Sequence, residues 1–261
     1  PILANMTLDG IEKAIAAKYY TSRSGKTDKK YDHKKVNFVR YADDFIVTAD
    51  SEETVKEISE LIRLFLKERG LELSENKTLI SHIDDGFDFL GWNLRKYSGK
   101  LLIKPSKKSI DKITQKISEK IKDSKTWKQE ELIYDLNPII TGWSNYHQSV
   151  VSKYIFSKLD DIVWNMLQKW AKRRHTNKSK TWITNKYWHT EGTRKKVFST
   201  EKNILKFFSD TKIVRHTSLK LDKNPYLDQE YFDLRRYRLS ERKTVDEFET
   251  IGAELNLCLC I

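Results

Sequence analysis

The spacing of apolar residues changes once along the chain, near Pro105, and this change limits the possible folds more than any other feature. Before it, short apolar runs such as Val36–Arg40 and Phe45–Thr48 have the length of strands and are separated by turn residues. After it, isoleucines recur at helical spacing, at positions 110, 113, 117 and 121. We therefore predict an α+β fold: an antiparallel sheet with helices, followed by a mainly α-helical part.

Local signals divide the chain into three parts. Ser98 and Gly99 interrupt the pattern, which predicts an α+β domain over residues 1–98 and a helical domain over residues 99–243. Residues 244–261 contain acidic but no basic side chains. We interpret this last part as an acidic tail, either a linker or the product of an altered reading frame.

Within the first part, the pattern predicts the elements in some detail. We expect a helix through about Ala17, and a second helix capped by Asp50 and ended by Gly70. A strand is expected over residues 71–80, and Asp85–Gly86 is typical of a hairpin turn.

The chain is strongly basic, because 49 Lys and Arg against 37 Asp and Glu give a formal net charge of +12. An excess of this size indicates a polyanionic partner, and nucleic acid is the first candidate. The alternative is a basic protein without such a partner. The 7 Trp and 12 Tyr favour nucleic acid, since aromatic rings stack on bases. No apolar run is long enough to span a bilayer, so no membrane partner is expected.

Basic residues are concentrated between Gln168 and Trp182, where no acidic residue occurs. We predict that this segment binds RNA, because cations neutralise phosphates and aromatic side chains stack on unpaired bases. The alternative is a solvated helix end, but uncompensated positive charges repel one another, which favours binding. The candidate RNA-binding residues are Lys169, Lys172, Arg173, Arg174, His175, Lys178, Lys180 and Trp182.

Two adjacent aspartates, Asp43 and Asp44, occupy the predicted turn between two apolar strands. Carboxylates held this close repel one another, and a divalent cation removes the repulsion. Mg²⁺ prefers carboxylate oxygens, and a pair of such ions can hold the attacking and leaving oxygens in phosphoryl transfer. A plain polar turn is the alternative, because Asp is common in turns for local reasons.

The segment Phe38–Phe45 contains the letters YADD and resembles the YxDD block of reverse transcriptases, in the form usual for group II intron enzymes. Pro1–Asp9 resembles the end of the preceding block of that family, Gly70–Thr78 the next palm block, and Phe89–Trp92 the primer-grip turn. In the helical part, Leu136–His147 with Trp170–His175 and Trp182–Ile183 resembles the maturase-specific thumb, also called domain X.

The resemblance covers roughly residues 1–243, and it implies a partial reverse transcriptase palm followed by a thumb. It also implies roles for single residues. Asp43 and Asp44 would bind catalytic Mg²⁺, and Lys77 would donate a proton to pyrophosphate, with a solvated lysine as the alternative. Tyr41 would support the active site near the primer or template, or else fill the core. The predicted primer grip would act through its backbone and consists of Phe89, Leu90, Gly91 and Trp92.

This sequence departs from the family pattern in one important respect. The family takes a third catalytic aspartate, and most of the pocket for the incoming nucleotide, from earlier blocks than those matched here. We therefore expect the two-metal site to be completed by a residue outside this chain, and the chain alone to be inactive in synthesis. Many relatives continue into a zinc-containing endonuclease, whose ligands Cys258 and Cys260 do not supply.

The leading functional hypothesis is an RNA-directed DNA polymerase that also binds its group II intron RNA and assists splicing and mobility. The implied cofactor is Mg²⁺. The implied partners are group II intron RNA, an RNA template with a DNA primer, and deoxynucleoside triphosphates, and a homodimer is left open. The expected location is the bacterial cytoplasm, with an organelle as the alternative.

Two other functions compete with this hypothesis. One is a non-enzymatic RNA-binding splicing factor with a relic palm. The other is the reverse transcriptase of another bacterial retroelement, such as a CRISPR-associated one, which the thumb blocks disfavour.

Overall fold

The computed structural model describes residues 2–22, 24–74, 77–214, 219, 223–224, 226–240 and 257–260. The helices are α1 (Ile2–Leu8), α2 (Ile11–Tyr19), α3 (Glu52–Lys67), α4 (Lys107–Asp123), α5 (Gln129–His147), α6 (Lys153–Arg174), α7 (Lys180–Tyr187) and α8 (Gln229–Ser240). The strands are β1 (Asn37–Tyr41), β2 (Asp44–Ala49), β3 (Leu79–His82), β4 (Phe87–Phe89), β5 (Trp92–Tyr97), β6 (Lys100–Pro105), β7 (Trp188–Glu191), β8 (Arg194–Phe198) and β9 (Leu257–Cys260).

The chain divides into two compact units. The first runs to Leu102 and includes β9, and the second begins at Ile103. The first unit mixes helices with antiparallel strands and the second is mainly helical, so the predicted fold class is confirmed. Four residues of the expected tail, 257–260, form β9, which pairs with strands of the first unit. The rest of that tail, residues 244–256 and 261, lies outside the described residues.

A four-stranded sheet organises the first unit, in the order β1-β2-β9-β3. β1 and β2 form an antiparallel hairpin, and β9 runs antiparallel to both β2 and β3. β2 and β3 are therefore parallel to each other, and α3 connects them in the sequence. This is a split β-α-β arrangement, in which a strand from elsewhere in the chain lies between the two parallel strands.

The core of the first unit lies between β2 and the helices α2 and α3. Alternate residues of β2, namely Phe45, Val47 and Ala49, are buried against these helices. The stripe predicted for α3 is buried as well, at Val55, Ile58, Ile62 and Leu66. Burying one side chain of this size stabilises the folded state by roughly 1.5–3 kcal/mol, so the base of the β1–β2 hairpin is firmly held.

Two helix boundaries in this unit differ from those predicted from the sequence. The predicted first helix is broken at Gly10, whose φ of 100° separates α1 from α2. The cap of α3 is Ser51 rather than Asp50, because the Ser51 hydroxyl accepts the backbone N–H of Thr54. Both cap residues are equally plausible from sequence, and only backbone geometry decides between them.

The strand predictions after α3 were also partly wrong. Residues 71–74 form no regular structure, and β3 begins only at Leu79. Asp85–Gly86 does not join a hairpin, since β3 belongs to the four-stranded sheet and β4 to a separate sheet of order β4-β5-β6. Gly86 is nevertheless required there, because a Cβ atom would lie 2.8 Å from the Cβ atom of Arg95.

Helices α4, α5 and α6 enclose the core of the second unit, with the β7–β8 hairpin packed on it. Ser106 caps α4 as predicted, with its hydroxyl accepting the backbone N–H of Ser109 at 3.1 Å. Trp170, near the end of α6, is only 3% exposed and donates its indole N–H to the carbonyl of Ser124 at 2.8 Å. The end of α6 is thereby fixed in the core.

Among the residues that the structure describes, no helix has both the length and the apolar character that a membrane crossing needs.

Candidate functional site

The Asp43–Asp44 pair lies at the tip of the β1–β2 hairpin. Tyr41 pairs with Asp44 across the hairpin, which leaves Ala42 and Asp43 as its two-residue turn. Ala42 has a φ of 56°, in the left-handed region that residues with side chains rarely adopt. Two-residue hairpin turns need a positive φ at this position, which Gly, Asn or Asp usually supplies. Backbone strain of this kind is concentrated at functional sites.

The turn itself is exposed, although its base is rigid. Asp43 and Asp44 are exposed to solvent, whereas Phe45 directly after them is buried. Over the described part of the chain, no group of three or more His, Cys, Asp or Glu side chains is placed to hold a metal ion. Two adjacent carboxylates still fit Mg²⁺, which proteins usually hold through one or two carboxylates together with waters and substrate phosphates.

Tyr41 was expected either to support the active site or to fill the core. Its side chain is 65% exposed, which excludes the core-filling alternative. An exposed aromatic ring beside a carboxylate pair can contact a nucleic-acid strand through its face and hydrogen-bond through its hydroxyl group. The first role for Tyr41 stays a prediction.

Lys77 lies at the same end of the sheet as the aspartate turn. Ile46 of β2 and Leu79 of β3 both pair with Cys260 of β9, so these two residues lie at the same position along the sheet. Asp44 precedes Ile46 by two positions, and Lys77 precedes Leu79 by two positions. Two strand spacings, or about 10 Å, separate β2 from β3. Because Lys77 is exposed, its solvated alternative also stays open.

The predicted primer grip forms a tight hairpin between β4 and β5. Phe89 pairs with Trp92, and Leu90 and Gly91 form the turn with φ values of 48° and 81°. Positive φ at both positions is the pattern of the type I′ turn. Leucine is strained in that conformation, which fixes the backbone of the turn in one shape. A backbone turn of fixed shape suits a grip that acts through backbone groups, and this role stays a prediction.

The basic segment of the second unit is the end of α6, a loop, and the start of α7. Its exposed cations are Lys169, Lys172, Arg173, Arg174, Lys178 and Lys180. Trp170 lies among them in sequence, but it is buried and cannot stack on bases. Trp182 is 39% exposed and remains available.

Two of these cations hold the segment in its shape. Lys172 donates to the carbonyls of Thr176 and Lys178, at 3.0 and 2.9 Å, and so fixes the loop after α6. Arg174 donates to the carbonyls of Lys125 and Trp127 at 3.0 and 2.5 Å. Lys172 and Arg174 are thus engaged by backbone carbonyls. The other four exposed cations of the segment make fewer hydrogen bonds within the chain, and they are Lys169, Arg173, Lys178 and Lys180.

An aromatic cluster forms the centre of this segment. His175 hydrogen-bonds with the hydroxyl of Tyr187 at 2.8 Å, and its ring meets the edge of Trp182 at a centroid distance of 5.0 Å. The pKa of His175 is lowered, first by loss of solvent and then by the positive charges of Lys186, Arg174 and Lys178. Its neutral form is therefore favoured in this basic surface.

Two residues near these sites are absent from the predicted set. Lys186 follows Trp182 by four positions in α7, and its ammonium group lies 5.1 Å from the centre of the Trp182 ring. Helical spacing from Trp182 could have identified it. The Nη1 atom of Arg40, one residue before Tyr41, is buried without a hydrogen-bond partner among the described residues. No pattern in the sequence indicates such an orphaned donor.

Two protein families match separate parts of the chain. Residues 1–94 match the reverse transcriptase (RNA-dependent DNA polymerase) family. Residues 110–188 match the maturase-specific domain of group II introns. The aspartate turn, Lys77 and the β4–β5 turn all fall in the first match, and the basic segment with its aromatic cluster falls in the second.

Curated proteins give the same result over shorter stretches. The group II intron-encoded protein LtrA of Lactococcus lactis subsp. cremoris is 43% identical over 65 residues, which cover 24% of this chain and 11% of LtrA. The putative COX1/OXI3 intron 2 protein of Saccharomyces cerevisiae is 35% identical over 85 residues, which cover 32% of this chain and 10% of that protein. The matched stretches thus span about a tenth of the length of these relatives.

The resemblance inferred from the sequence blocks is therefore confirmed. An exposed aspartate turn lies in the part that matches reverse transcriptases, and an exposed basic segment lies in the part that matches the maturase-specific domain. The chain belongs to the group II intron-encoded reverse transcriptases and maturases.

Proposed function

We propose that this chain is the palm and thumb portion of an RNA-directed DNA polymerase that also binds group II intron RNA as a maturase. The observation that carries the proposal is the exposed Asp43–Asp44 pair, held on a strained two-residue turn within the stretch that matches reverse transcriptases. The basic segment in the maturase-specific domain supports the RNA-binding half of the function.

Each residue near the turn has a part in the proposed reaction. Asp43 and Asp44 would hold Mg²⁺, which when bound would supply positive charge to stabilise the transferring phosphoryl group. Because the base of the hairpin is packed in the core at Phe45 and Val47, the carboxylates need little reorganisation when the metal and the nucleotide arrive. Lys77, at the same end of the sheet, donates a proton to the departing pyrophosphate. The exposed Tyr41 ring and the β4–β5 turn position the primer and template strands.

Two carboxylates are fewer than the family uses. The resemblance implies a third aspartate from an earlier block, and we propose that a residue outside this chain completes the two-metal site. On this proposal residues 1–261 bind nucleic acid but add no deoxynucleotides alone. A segment with fingers and first palm blocks is needed for synthesis.

The proposed RNA-binding surface consists of the exposed part of the α6–α7 segment. Lys169, Arg173, Lys178 and Lys180 neutralise phosphates, and Trp182 stacks on an unpaired base of the intron RNA. Lys172 and Arg174 instead keep the loop in a conformation that presents the other side chains. Assistance to splicing and mobility follows from holding the intron RNA at this surface.

A splicing factor with a relic palm is the second candidate function. The same basic segment supports it, because binding of intron RNA does not need the aspartate turn. The strained Ala42 weighs against a relic, since backbone strain without a function is readily lost by substitution.

Primer extension distinguishes the two functions. The assay uses an RNA template, a DNA primer, Mg²⁺ and deoxynucleotides, with this chain alone and with an added segment carrying family-type fingers and first palm blocks. The polymerase proposal expects synthesis only with the added segment, and loss of synthesis in Asp43→Ala. Glu60→Ala serves as the matched control, since Glu60 is an exposed carboxylate on α3. Absence of synthesis in both assays, with salt-sensitive RNA binding retained, supports the splicing factor instead.

A further inference from the structure

The β7–β8 hairpin follows the basic segment directly, since α7 ends at Tyr187 and β7 begins at Trp188. The base of the hairpin is fixed in the core of the second unit, because Trp188 and Phe198 pair with each other and are 4% and 2% exposed. Residues 189–198 lie beyond the stretch that matches the maturase-specific domain. The outer part of the hairpin therefore has no role in the function proposed so far.

This outer part contains a β-bulge. The register of the two strands shifts between His189 and Glu191, so that Thr190 faces two residues, Lys195 and Lys196. A bulge changes the direction of side chains on its strand, and both lysines here are exposed. Lys196 has a φ of 58°, in the left-handed region that glycine adopts without strain. We call Lys195 and Lys196 the lysine bulge.

The other two charged side chains of the hairpin have partners within the chain. Arg194 forms an ion pair with Asp210 at 2.6 Å, and its guanidinium lies 4.3 Å from the centre of the Phe207 ring. The Glu191 carboxylate accepts the hydroxyl of Ser199 at 2.8 Å. By contrast, neither ammonium group of the lysine bulge has a hydrogen bond or an ion pair with the described residues.

The lysine bulge lowers the stability of the fold in two ways. Its adjacent ammonium groups repel each other, and the left-handed backbone of Lys196 is strained for a residue with a Cβ atom. No side-chain contact in the described part of the chain offsets either cost. An external anion would remove the repulsion, and backbone strain is concentrated at sites that bind ligands.

The side chains of the hairpin specify the kind of anion. Trp188 and Phe198 are buried, so the hairpin offers cations but no large aromatic ring. Cations without rings contact phosphates and cannot stack on bases. In a paired RNA helix the bases are hidden from side chains, whereas the backbone stays open to contact. The basic segment differs, because Trp182 is exposed there and suits unpaired bases.

The lysine bulge also lies close to that segment. Lys186, whose ammonium group is 5.1 Å from the centre of the Trp182 ring, precedes Trp188 by two positions. On the other strand, Lys196 precedes Phe198 by two positions. Because Trp188 and Phe198 are paired, no more than about 20 Å separates the Cα atoms of the two lysines. One RNA molecule can therefore reach both.

We propose that the lysine bulge is a second RNA-binding site, which contacts the phosphates of a paired RNA helix next to the unpaired bases held by the basic segment. The intron RNA is then recognised at a junction between paired and unpaired nucleotides. The inference rests on the proposed RNA-binding function and does not depend on polymerase activity.

Binding to a duplex RNA, a single-stranded RNA and a duplex with an unpaired end tests the proposal. Fluorescence anisotropy with the full chain measures each affinity at several salt concentrations. Lys195→Gln should weaken binding of both duplexes roughly threefold or more, and lower their salt dependence by about one phosphate contact. Its binding of the single strand should change less than about twofold. Trp182→Ala should show the reverse preference, because it removes only a stacking ring.

Lys116→Gln, at an exposed position on α4, is the matched control for the loss of one surface charge. It should bind all the RNAs as the wild-type chain does. An equal loss of duplex affinity in Lys116→Gln and Lys195→Gln would overturn the proposal, because the effect would then come from net charge and not from the bulge.

Lys196→Gly separates a binding role from a structural one. Glycine adopts a positive φ without strain, and the change removes one of two repelling charges, so the urea midpoint should rise. The affinity for duplex RNA should fall as it does in Lys195→Gln. A lower urea midpoint together with weaker binding would assign Lys196 to the fold and overturn its role as a ligand.

The remaining outcomes distinguish this inference from the proposed function. Wild-type affinity and salt dependence for duplex RNA in both lysine variants would overturn the inference, and would leave RNA binding by the basic segment intact. A larger loss on duplex DNA than on duplex RNA of the same sequence would also overturn it, since the bulge would then contact DNA. Failure of the wild-type chain to bind any RNA would overturn the inference and the proposed RNA-binding function together.

Discussion

Asp44 and Lys77 lie at the same end of the four-stranded sheet, because Ile46 and Leu79, two residues after each of them, both pair with Cys260. The alignment results from a helix crossover that returns the chain from β2 to the parallel strand β3. Lys77, in the turn before β3, and the Asp43–Asp44 pair are thus brought to one end of the sheet, although 33 positions separate Asp44 from Lys77 in the sequence.

Lys77→Ala should lower the rate of nucleotide addition by roughly 10²-fold or more, because loss of a general acid typically has an effect of that size. The measurement is single-turnover primer extension with the completed enzyme. Binding of Mn²⁺ should be unchanged, since Lys77 does not ligate metal in the proposal. Lys67→Ala, an exposed lysine on α3, is the control. An equal rate in both variants would assign Lys77 to the solvated surface.

Asp43→Asn should weaken Mn²⁺ binding at the turn without lowering stability. Asp43 is exposed, and an amide of the same size removes a negative charge next to Asp44, so the free energy of unfolding should stay within about 0.5 kcal/mol of the wild-type value. Electron paramagnetic resonance of Mn²⁺ and urea denaturation measure the two quantities. Asp32→Asn is the control for nonspecific metal binding. Unchanged Mn²⁺ affinity in Asp43→Asn would remove the turn as a metal site.

Arg173 and Arg174 should behave differently, although they are adjacent and both were predicted to bind RNA. Arg173 is exposed and makes no hydrogen bond or ion pair with the described residues, so Arg173→Ala should reduce RNA affinity and lower the salt dependence by about one phosphate contact. Its free energy of unfolding should be unchanged. Arg174→Ala should lower that free energy by about 1 kcal/mol, because two carbonyls lose a charged donor.

Filter binding at several salt concentrations, together with urea denaturation, separates these effects. Arg174→Lys is the matched control, since it keeps the charge but has a shorter side chain than the one whose Nη1 atom donates to both carbonyls. Identical stability losses in the two alanine variants would show that the hydrogen bonds of Arg174 do not hold the loop.

Trp182→Ala should weaken binding of unpaired intron RNA by roughly 1–3 kcal/mol, the usual contribution of one stacked base. Trp182→Phe should recover most of the affinity, because a ring remains between Lys178 and Lys186. Fluorescence titration with a single-stranded and a fully duplex RNA of equal length measures the effect. Equal losses on both RNAs would mean that Trp182 supports the fold of the segment rather than stacking on bases.

Elements that depend on neighbouring residues could be predicted from the sequence, whereas features that depend on contacts between distant residues could not. The β1–β2 hairpin, the stripe of α3 and the cap at Ser106 depend on residues close in sequence, so their patterns predict them. The position of β9 depends on pairing across about 200 residues, which no local periodicity encodes. The sequence also did not show which basic residues hold the loop and which are exposed for binding, because charge alone does not reveal that Lys172 and Arg174 donate to backbone carbonyls.

His147 is a buried side chain of α5 whose effect on stability can be tested by changing the pH. The side chain is 0% exposed, its ring lies against Trp143 at a centroid distance of 4.2 Å, and its Nε2 atom is 3.1 Å from the Ser109 hydroxyl. Trp143 donates its indole N–H to that same hydroxyl oxygen at 3.1 Å. The hydroxyl proton is then free to point at Nε2, which favours a neutral imidazole.

Burial lowers the pKa of His147 from 6.5 to about 4. The unfolded chain therefore takes up a proton at this position as the pH falls through 6.5, whereas the folded chain resists until about pH 4. Because the unfolded state binds more protons in that window, the free energy of unfolding should fall between pH 6.5 and 4, by at most about 3 kcal/mol from this group. His147→Gln should reduce this part of the pH dependence, while His33→Gln, at an exposed position, should not. Urea denaturation at half-unit steps of pH measures the difference between each variant and the wild type. A difference for His147→Gln that does not change with pH would mean that the buried ring does not resist protonation.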